Sequence, residues 1–508
     1  MDVDLIIRNA TVVTASDIWP ACDIAIKEGA ILSIGSNLPV SEDTRVLDAE
    51  GAFVTPGGVD AHCHLSQFYN PGPGEPETTP TTDGIIPAKY NFSGDTQETG
   101  SLSAICGGTT TIISFANQFR GDDSLVPVIE EYHKLAEAKS YCDYAFHVII
   151  TNPSKKVIEE DLQLMVEKYG ITSVKIFMTY ESAKLNDYQI LDVMHASRKL
   201  GITTMIHAEN GDVIDWMTDN LEVKNMVAPH HHGTSRPPIV EAEASNRAIC
   251  LSEVMDTPIL LVHVSSGQAA KTIRKAQTRL LPVFGETCPH YLFLLAERMK
   301  RDGFEGAKYV CSPPLREDSS DLEAMWQGIK NGTFTIVSSD HAPTKYDHPN
   351  GKKLGLHGHE PHGKFRCIPN GLPGLETRVP LLFSGGVMSG RITPQKFVEM
   401  TSSNPAKLYG LKNKGTIAPG FDADIVIWYP QEKFETFNLE NKKLHHSIDY
   451  TPFEGMEFKN WPRHTLIRGK VVFSEGKILS HKGFGRFQRR TSSLLARPRD
   501  VWLSEWRP

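Results

Sequence analysis

Apolar and β-branched residues recur along this chain in short bursts, some alternating with polar neighbours and some unbroken, bounded by Gly, Pro, Asn or Asp. Between residues 2 and 50 the bursts DLIIRNATVVT, DIAIKEGAILSIG and TRVLDAEGAFVTPG are separated by Gly-containing turns, as in a small antiparallel sheet. The same texture returns near the C-terminus in GTIAPGFDADIVIWYP and HTLIRGKVVFSEGKILS, so the two ends are expected to pair into one β-domain. Between them lie eight strand segments: 57–62, 109–116, 144–151, 173–179, 203–209, 258–265, 281–287 and 333–340. Intervening stretches such as SLVPVIEEYHKLAEAK and DYQILDVMHASRKLG place apolar residues at i, i+3 and i+4, the helical period. Eight β-then-α units predict an α/β fold, a (β/α)8 barrel of TIM type. The expected division is a small β-sandwich domain from 1–52 and 413–480, a barrel over 53–412, and a tail over 481–508.

Two loops interrupt this rhythm. Residues 67–97 are rich in Pro, Gly and Thr, and residues 345–367 are rich in His and Gly. Long loops without regular structure serve as lids, binding loops or disordered segments. Both follow barrel strands and are expected to overhang the end where those strands finish. The cluster His348, His357, His359 and His362 reads either as a surface metal trap or as a flexible polar loop. The Arg-rich stretch from about Arg486 to Pro508, with its three aromatic residues, reads either as a dock for a neighbouring subunit or as disorder.

Composition narrows the function. Over 508 residues the chain is 40% hydrophobic and 22% charged, an ordinary globular balance. A net charge of −8 offers no basic footprint for nucleic acid. The acidic start MDVDLIIRNA shows no secretory signal, and no apolar run is long enough to span a membrane, so a soluble cytoplasmic protein is expected. Eight cysteines without a CxxC pair read as reduced and mostly buried. Cys63 stands between His62 and His64, where period-2 geometry turns it away from them.

Six ionisable residues stand at the ends of those apolar segments. They are His62 and His64 in VDAHCHL, Lys175 in SVKIFMTY, His207 in TTMIHAEN, His263 in ILLVHVSS and Asp340 in TIVSSDHAP. Each is costly there unless paired or coordinated. Together, at the reactive end of a barrel, they point to a metal centre. His-x-His on one strand sets both imidazoles on one side. Burial would make Lys175 a neutral amine, open to carbon dioxide as a bridging carbamate, or a lysine that snorkels or pairs with a carboxylate. Four His, one Asp and a carboxylated Lys suit two zinc ions.

Motifs over nearly the whole chain, including DAHCHL, CGGTTTIISFA, VKIFMTY, HAEN, PILLVHVSSG, ETCPHYLFL, CSPPLR, SSDHAP, PNGLPGLETRVPLLF and DYTPFEGM, are similar to the dihydropyrimidinase and D-hydantoinase family of cyclic amidohydrolases. The resemblance implies that His62, His64 and Asp340 hold one zinc and His207 with His263 the other, bridged by carboxylated Lys175 and hydroxide. It makes Tyr180 the stabiliser of the oxyanion, and Ser312 and Asn370 the residues whose backbone groups grip the cyclic substrate. Asp340 would accept a proton and pass it to the leaving nitrogen. It implies a homotetramer acting on a small cyclic amide, a dihydropyrimidine or hydantoin opened to an N-carbamoyl amino acid. Allantoinase, an imidase and a non-enzymatic scaffold of the same family stay as alternatives. Leu65–Ser66 after the His-x-His argues against dihydroorotase, where an Arg is typical.

Overall fold

Strand alternation takes shape first at the N-terminus, as β1 (Leu5–Val13), β2 (Ile18–Lys27), β3 (Ala30–Gly35), β4 (Arg45–Asp48) and β5 (Phe53–Pro56). The computed structural model describes residues 3–39, 41–68, 92–359 and 363–501, with the backbone alone of 78–81 and 84–87. The remainder of the 67–97 loop, and His362, lie outside the described residues. Next come β6 (Gly58–Cys63), a hairpin of β7 (Thr78–Thr81) and β8 (Gly84–Pro87), then β9 (Thr109–Asn117) and β10 (Asp143–Ile149). The series continues with β11 (Ser173–Phe177), β12 (Thr203–His207), β13 (Ile259–Leu261), β14 (Val283–Thr287) and β15 (Ile336–Val337). It ends with β16 (Ile425–Trp428), β17 (Phe437–Asn438), β18 (Glu457–Phe458), β19 (Pro462–Ile467), β20 (Lys470–Ser474) and β21 (Lys477–Ile478).

The eight central segments are all strands of one parallel sheet, ordered β15-β14-β13-β12-β11-β10-β9-β6. The curled sheet is a TIM-type barrel. Its two edges meet where Cys63 bridges His341 in parallel and the His64 N–H donates to the His341 carbonyl at 2.7 Å. Inward residues such as Ala61, Phe115, Ala145, Met205 and Leu260 form one core cluster with Leu408 and Tyr409. Outward residues such as Val148, Val174, Ile176 and Ile206 pack against the helices. Those helices carry the local signals that delimit them. The helix Asp187–Leu200 begins on an Asn186–Gln189 capping box and ends on left-handed Gly201 (φ 66°).

Both chain ends build a second, mixed sheet ordered β21-β20-β19-β16-β5-β1-β2-β3, with β4 also on β1. Its own core holds Ile7, Val12, Ile24, Val54, Ile425 and Leu466. The C-terminal strand β16 runs antiparallel to β5, which joins the N- and C-terminal pieces directly. A buried charge cluster ties this sheet to the barrel. Lys414 Nζ lies 2.6 Å from Asp143 at the start of β10 and 2.8 Å from both Asp422 and Asp424, and Arg468 also pairs with Asp143. Removing one partner from a buried ionic cluster leaves charge uncompensated. Lys414→Met should therefore cost about 3–5 kcal/mol, read as a lower denaturant midpoint at unchanged slope. An unchanged midpoint would refute the tie.

The tail, through Val501, packs on its own barrel. The Arg490 guanidinium donates to Ser173 Oγ at 2.8 Å and to the Phe146 carbonyl, and the Thr491 N–H donates to the Gly410 carbonyl at 3.1 Å. These contacts seat the described part of the tail on the barrel; residues 502–508 lie outside the described residues. All eight cysteines are free thiols, five of them buried. No helix among the described residues is long and apolar enough to cross a membrane.

Candidate metal centre

The C-terminal ends of the barrel strands open into a cavity of about 500 Å³. Its wall includes all nine residues singled out from the sequence: His62, His64, Lys175, Tyr180, His207, His263, Ser312, Asp340 and Asn370. Simple alternation accounts for some of them. In β11, Val174 and Ile176 face the helices, which leaves Lys175 on the inner face with Nζ 5.0 and 5.1 Å from the Phe115 and Phe177 ring centres. In β12, Met205 points inward and His207 follows it two residues later.

The others depend on breaks in the strands. Leu260 and Val262 point inward, so an extended His263 would face the helices. Its φ of 41° redirects it, and its ring centre lies 4.4 Å from that of His207 and 5.4 Å from that of His62. Asp340 (φ 47°) and Tyr180 (φ 65°) are left-handed too. Such backbone costs a non-glycine residue about 1–3 kcal/mol and gathers at functional sites. In β6 a register shift between Asp60 and Cys63 re-aims His62. Cys63 packs in the outer core instead, its Sγ against the Ile113 carbonyl.

His62 Nε2 and His64 Nε2 lie 3.0 and 3.9 Å from the same Asp340 oxygen, and Lys175 Nζ lies 3.4 Å from His62 Nε2. One donor atom each from His62, His64 and Asp340 falls within a mutual 4.8 Å. Two imidazoles and a carboxylate in a buried cleft fit a divalent ion of the zinc type. Two further observations fit metal ligation. The buried Nδ1 of His263 has no hydrogen-bond partner among the described residues. Lys175, 1% exposed, has no carboxylate in ion-pair reach among them either.

Two carboxylates behind the centre were not singled out from the sequence. Glu286 Oε1 sits 2.6 Å from His62 Nδ1 and accepts the His263 N–H at 3.0 Å. Glu209 Oε2 sits 2.7 Å from His207 Nε2 and accepts the Ser312 hydroxyl at 2.6 Å. These contacts occupy Nδ1 of His62 and Nε2 of His207 and leave their other ring nitrogens free of these carboxylates, an arrangement that fits the way carboxylates orient metal-bound imidazoles. Their signal was a glutamate at a buried strand end in VFGET and just past one in HAEN.

Burial pushes the Lys175 amine down to about 8. Burial opposes ionisation of Asp340, yet the charges of His62, His64 and His290 hold its carboxyl well below the usual range. Glu209, likewise buried, is held at about 2 by its contact with His207 and by Arg236 and Ser312. The Tyr180 phenol is pushed up to about 12, chiefly by burial and then by Glu209, so it remains a donor. Its oxygen accepts a hydrogen bond from Asn370 Nδ2 at 3.1 Å. Gln67, Leu354, Arg366 and Cys367, from the two long loops, complete the outer wall. His348, His357 and His359 do not line it.

The chain matches the model of the amidohydrolase family over residues 53–472. It is 39% identical to the D-hydantoinase of Ralstonia pickettii across 493 residues, 96% of this chain and 99% of that protein. It is 40% identical to the D-hydantoinase of Geobacillus stearothermophilus across 488 residues, 96% of each. The crystal structure of dihydropyrimidinase from Brevibacillus agri NCHU1002 superposes with a TM-score of 0.86 at 37% identity, over 96% of this chain and 99% of that one.

Proposed function

The chain belongs to the amidohydrolase family, among its hydantoinases and dihydropyrimidinases, as a hydrolase of cyclic amides, and on that premise we propose that it opens dihydropyrimidine or hydantoin rings with a pair of zinc ions. His62, His64 and Asp340 would hold one ion, His207 and His263 the other, and Lys175, carboxylated, both. Bound there, the pair supplies an acidified water and polarises the ring carbonyl.

The chain's own residues do the rest. The backbone groups of Ser312 and Asn370 hold the ring, and the Tyr180 hydroxyl donates to the carbonyl oxygen as it gains charge. Asp340 accepts the water proton as the C–O bond forms and then delivers it to the ring nitrogen, whereupon the C–N bond breaks and the carbonyl is restored. A dihydropyrimidine gives an N-carbamoyl β-amino acid and a hydantoin gives an N-carbamoyl amino acid. The support for this reading is the meeting of imidazoles, carboxylate, buried amine and phenol around one cavity.

A ring-opening assay tests it, with dihydrouracil, hydantoin, allantoin and succinimide in parallel on zinc-loaded protein. Turnover of the first two is expected, with about two zinc ions per chain. Preference for allantoin or succinimide would move the substrate within the family. A fully active metal-free preparation would overturn the mechanism, and no turnover at all would favour a scaffold. Assembly as a homotetramer rests on the same family resemblance, and a single-chain mass by light scattering would remove it.

A further inference from the structure

Lys352 begins the short helix Lys352–Leu356 in the His- and Gly-rich loop, with none of its surface exposed. Its Nζ donates to three backbone carbonyls, those of Val310, Pro369 and Gly371, each at 2.7 Å. Among the described residues no carboxylate lies in ion-pair reach of it. An ammonium has three donors and no acceptor, so three carbonyls saturate it. Burial pulls the amine down to about 7 while three carbonyl acceptors favour its protonated form, and a thioether there would leave the buried Pro369 and Gly371 carbonyls without this donor.

The three carbonyls flank the residues that face the substrate cavity. Val310 stands two residues before Ser312, and Pro369 and Gly371 enclose Asn370. The Val310 carbonyl also accepts the Gly371 N–H at 3.1 Å, so the two segments touch where the ammonium binds them. Gly371 (φ 134°) packs so closely that a Cβ there would lie 2.0 Å from the Ala342 carbonyl, and the Ala342 N–H donates to the Leu372 carbonyl at 3.2 Å. The knot therefore reaches the segment that begins with Asp340. It also reaches Tyr180, whose oxygen takes the Asn370 amide hydrogen bond.

We propose that Lys352 is a positioning residue for substrate, its ammonium clamping the 310–312 and 369–371 segments so that Ser312, Asn370 and Tyr180 face one ring. This rests on the cyclic-amide reading above. The clamp touches neither substrate nor metal ligand, so losing it should act on substrate placement first. A misplacement near 1 Å can cost up to about 10²-fold.

Lys352→Met is expected to keep its zinc, to raise KM for dihydrouracil roughly tenfold or more, and to lower kcat per zinc by a smaller factor. A merely structural lysine would lower the melting temperature and the active fraction while leaving KM in place, and that result would overturn the proposal. A crystal structure of the variant gives a readout without turnover: the Asn370–Tyr180 contact should be lost, and its retention would equally overturn the clamp. If wild type opened none of the four rings, the functional reading would fail while this structural test still stood.

Should Lys352→Met not fold, Lys352→Ala prepared with propylammonium supplies the missing cation in place. Recovery of KM with propylammonium and not with 1-propanol supports the clamp. Equal recovery with both would show that volume, and not the charge, is what matters.

Discussion

Lys175→Ala is expected to lose most bound zinc and nearly all turnover, a larger effect than removal of any residue outside the ligand set. Metal catalysis of this kind contributes several kcal/mol of transition-state stabilisation, so the fall in kcat should be on the order of 10³-fold or more. Buried between the Phe115 and Phe177 rings, with no carboxylate partner among the described residues, the Lys175 amine is pushed down to about 8. At pH 7 about a tenth of such amines are neutral and able to add carbon dioxide. The carbamate is an anion where the ammonium was a cation, so the change converts a repellent of metal ions into a ligand. Two readouts separate this from simple damage. Zinc loading of metal-stripped wild type should depend on bicarbonate, and acetate or formate should restore part of the metal content of Lys175→Ala. Retention of both zinc and turnover by the variant would refute the bridge.

Much of this centre was legible because barrel strands are short, apolar and buried, so an ionisable residue at their ends stands out against its neighbours. Lys175 in SVKIFMTY and His207 in TTMIHAEN follow from period-2 alternation alone. His263 and Asp340 do not, since their aim depends on left-handed backbone that neither residue type announces (φ 41° and 47°). Glu286 and Glu209 escaped because a glutamate near a strand end reads equally as a surface turn until the fold brings His62 and His207 against it. Lys352 was less visible still. Its partners are three backbone carbonyls, and carbonyls leave no mark in a sequence. The pairing of the chain ends was legible from matching texture, whereas the seat of the tail depended on Arg490 reaching Ser173 and Phe146 across more than three hundred residues.

Tyr180→Phe should leave zinc content unchanged and lower kcat by about 10²–10³-fold with little change in KM, the pattern of a donor used mainly in the transition state. The phenol is well placed for that role. It lies in the cavity wall 5.5 Å, ring centre to ring centre, from His207, on left-handed backbone (φ 65°) that fixes its direction. Asn370 Nδ2 donates to its oxygen at 3.1 Å, which leaves the hydroxyl hydrogen free to point at a reacting carbonyl. Burial holds the phenol at about 12, so it stays protonated below that pH. The neutral form is the donor, it is the populated form near neutral pH, and no limb of the wild-type rate profile there belongs to it. The phenylalanine variant should therefore trace the same pH profile as wild type, displaced downward. A changed profile would assign the residue to proton transfer, and an undiminished kcat would take it out of the chemistry.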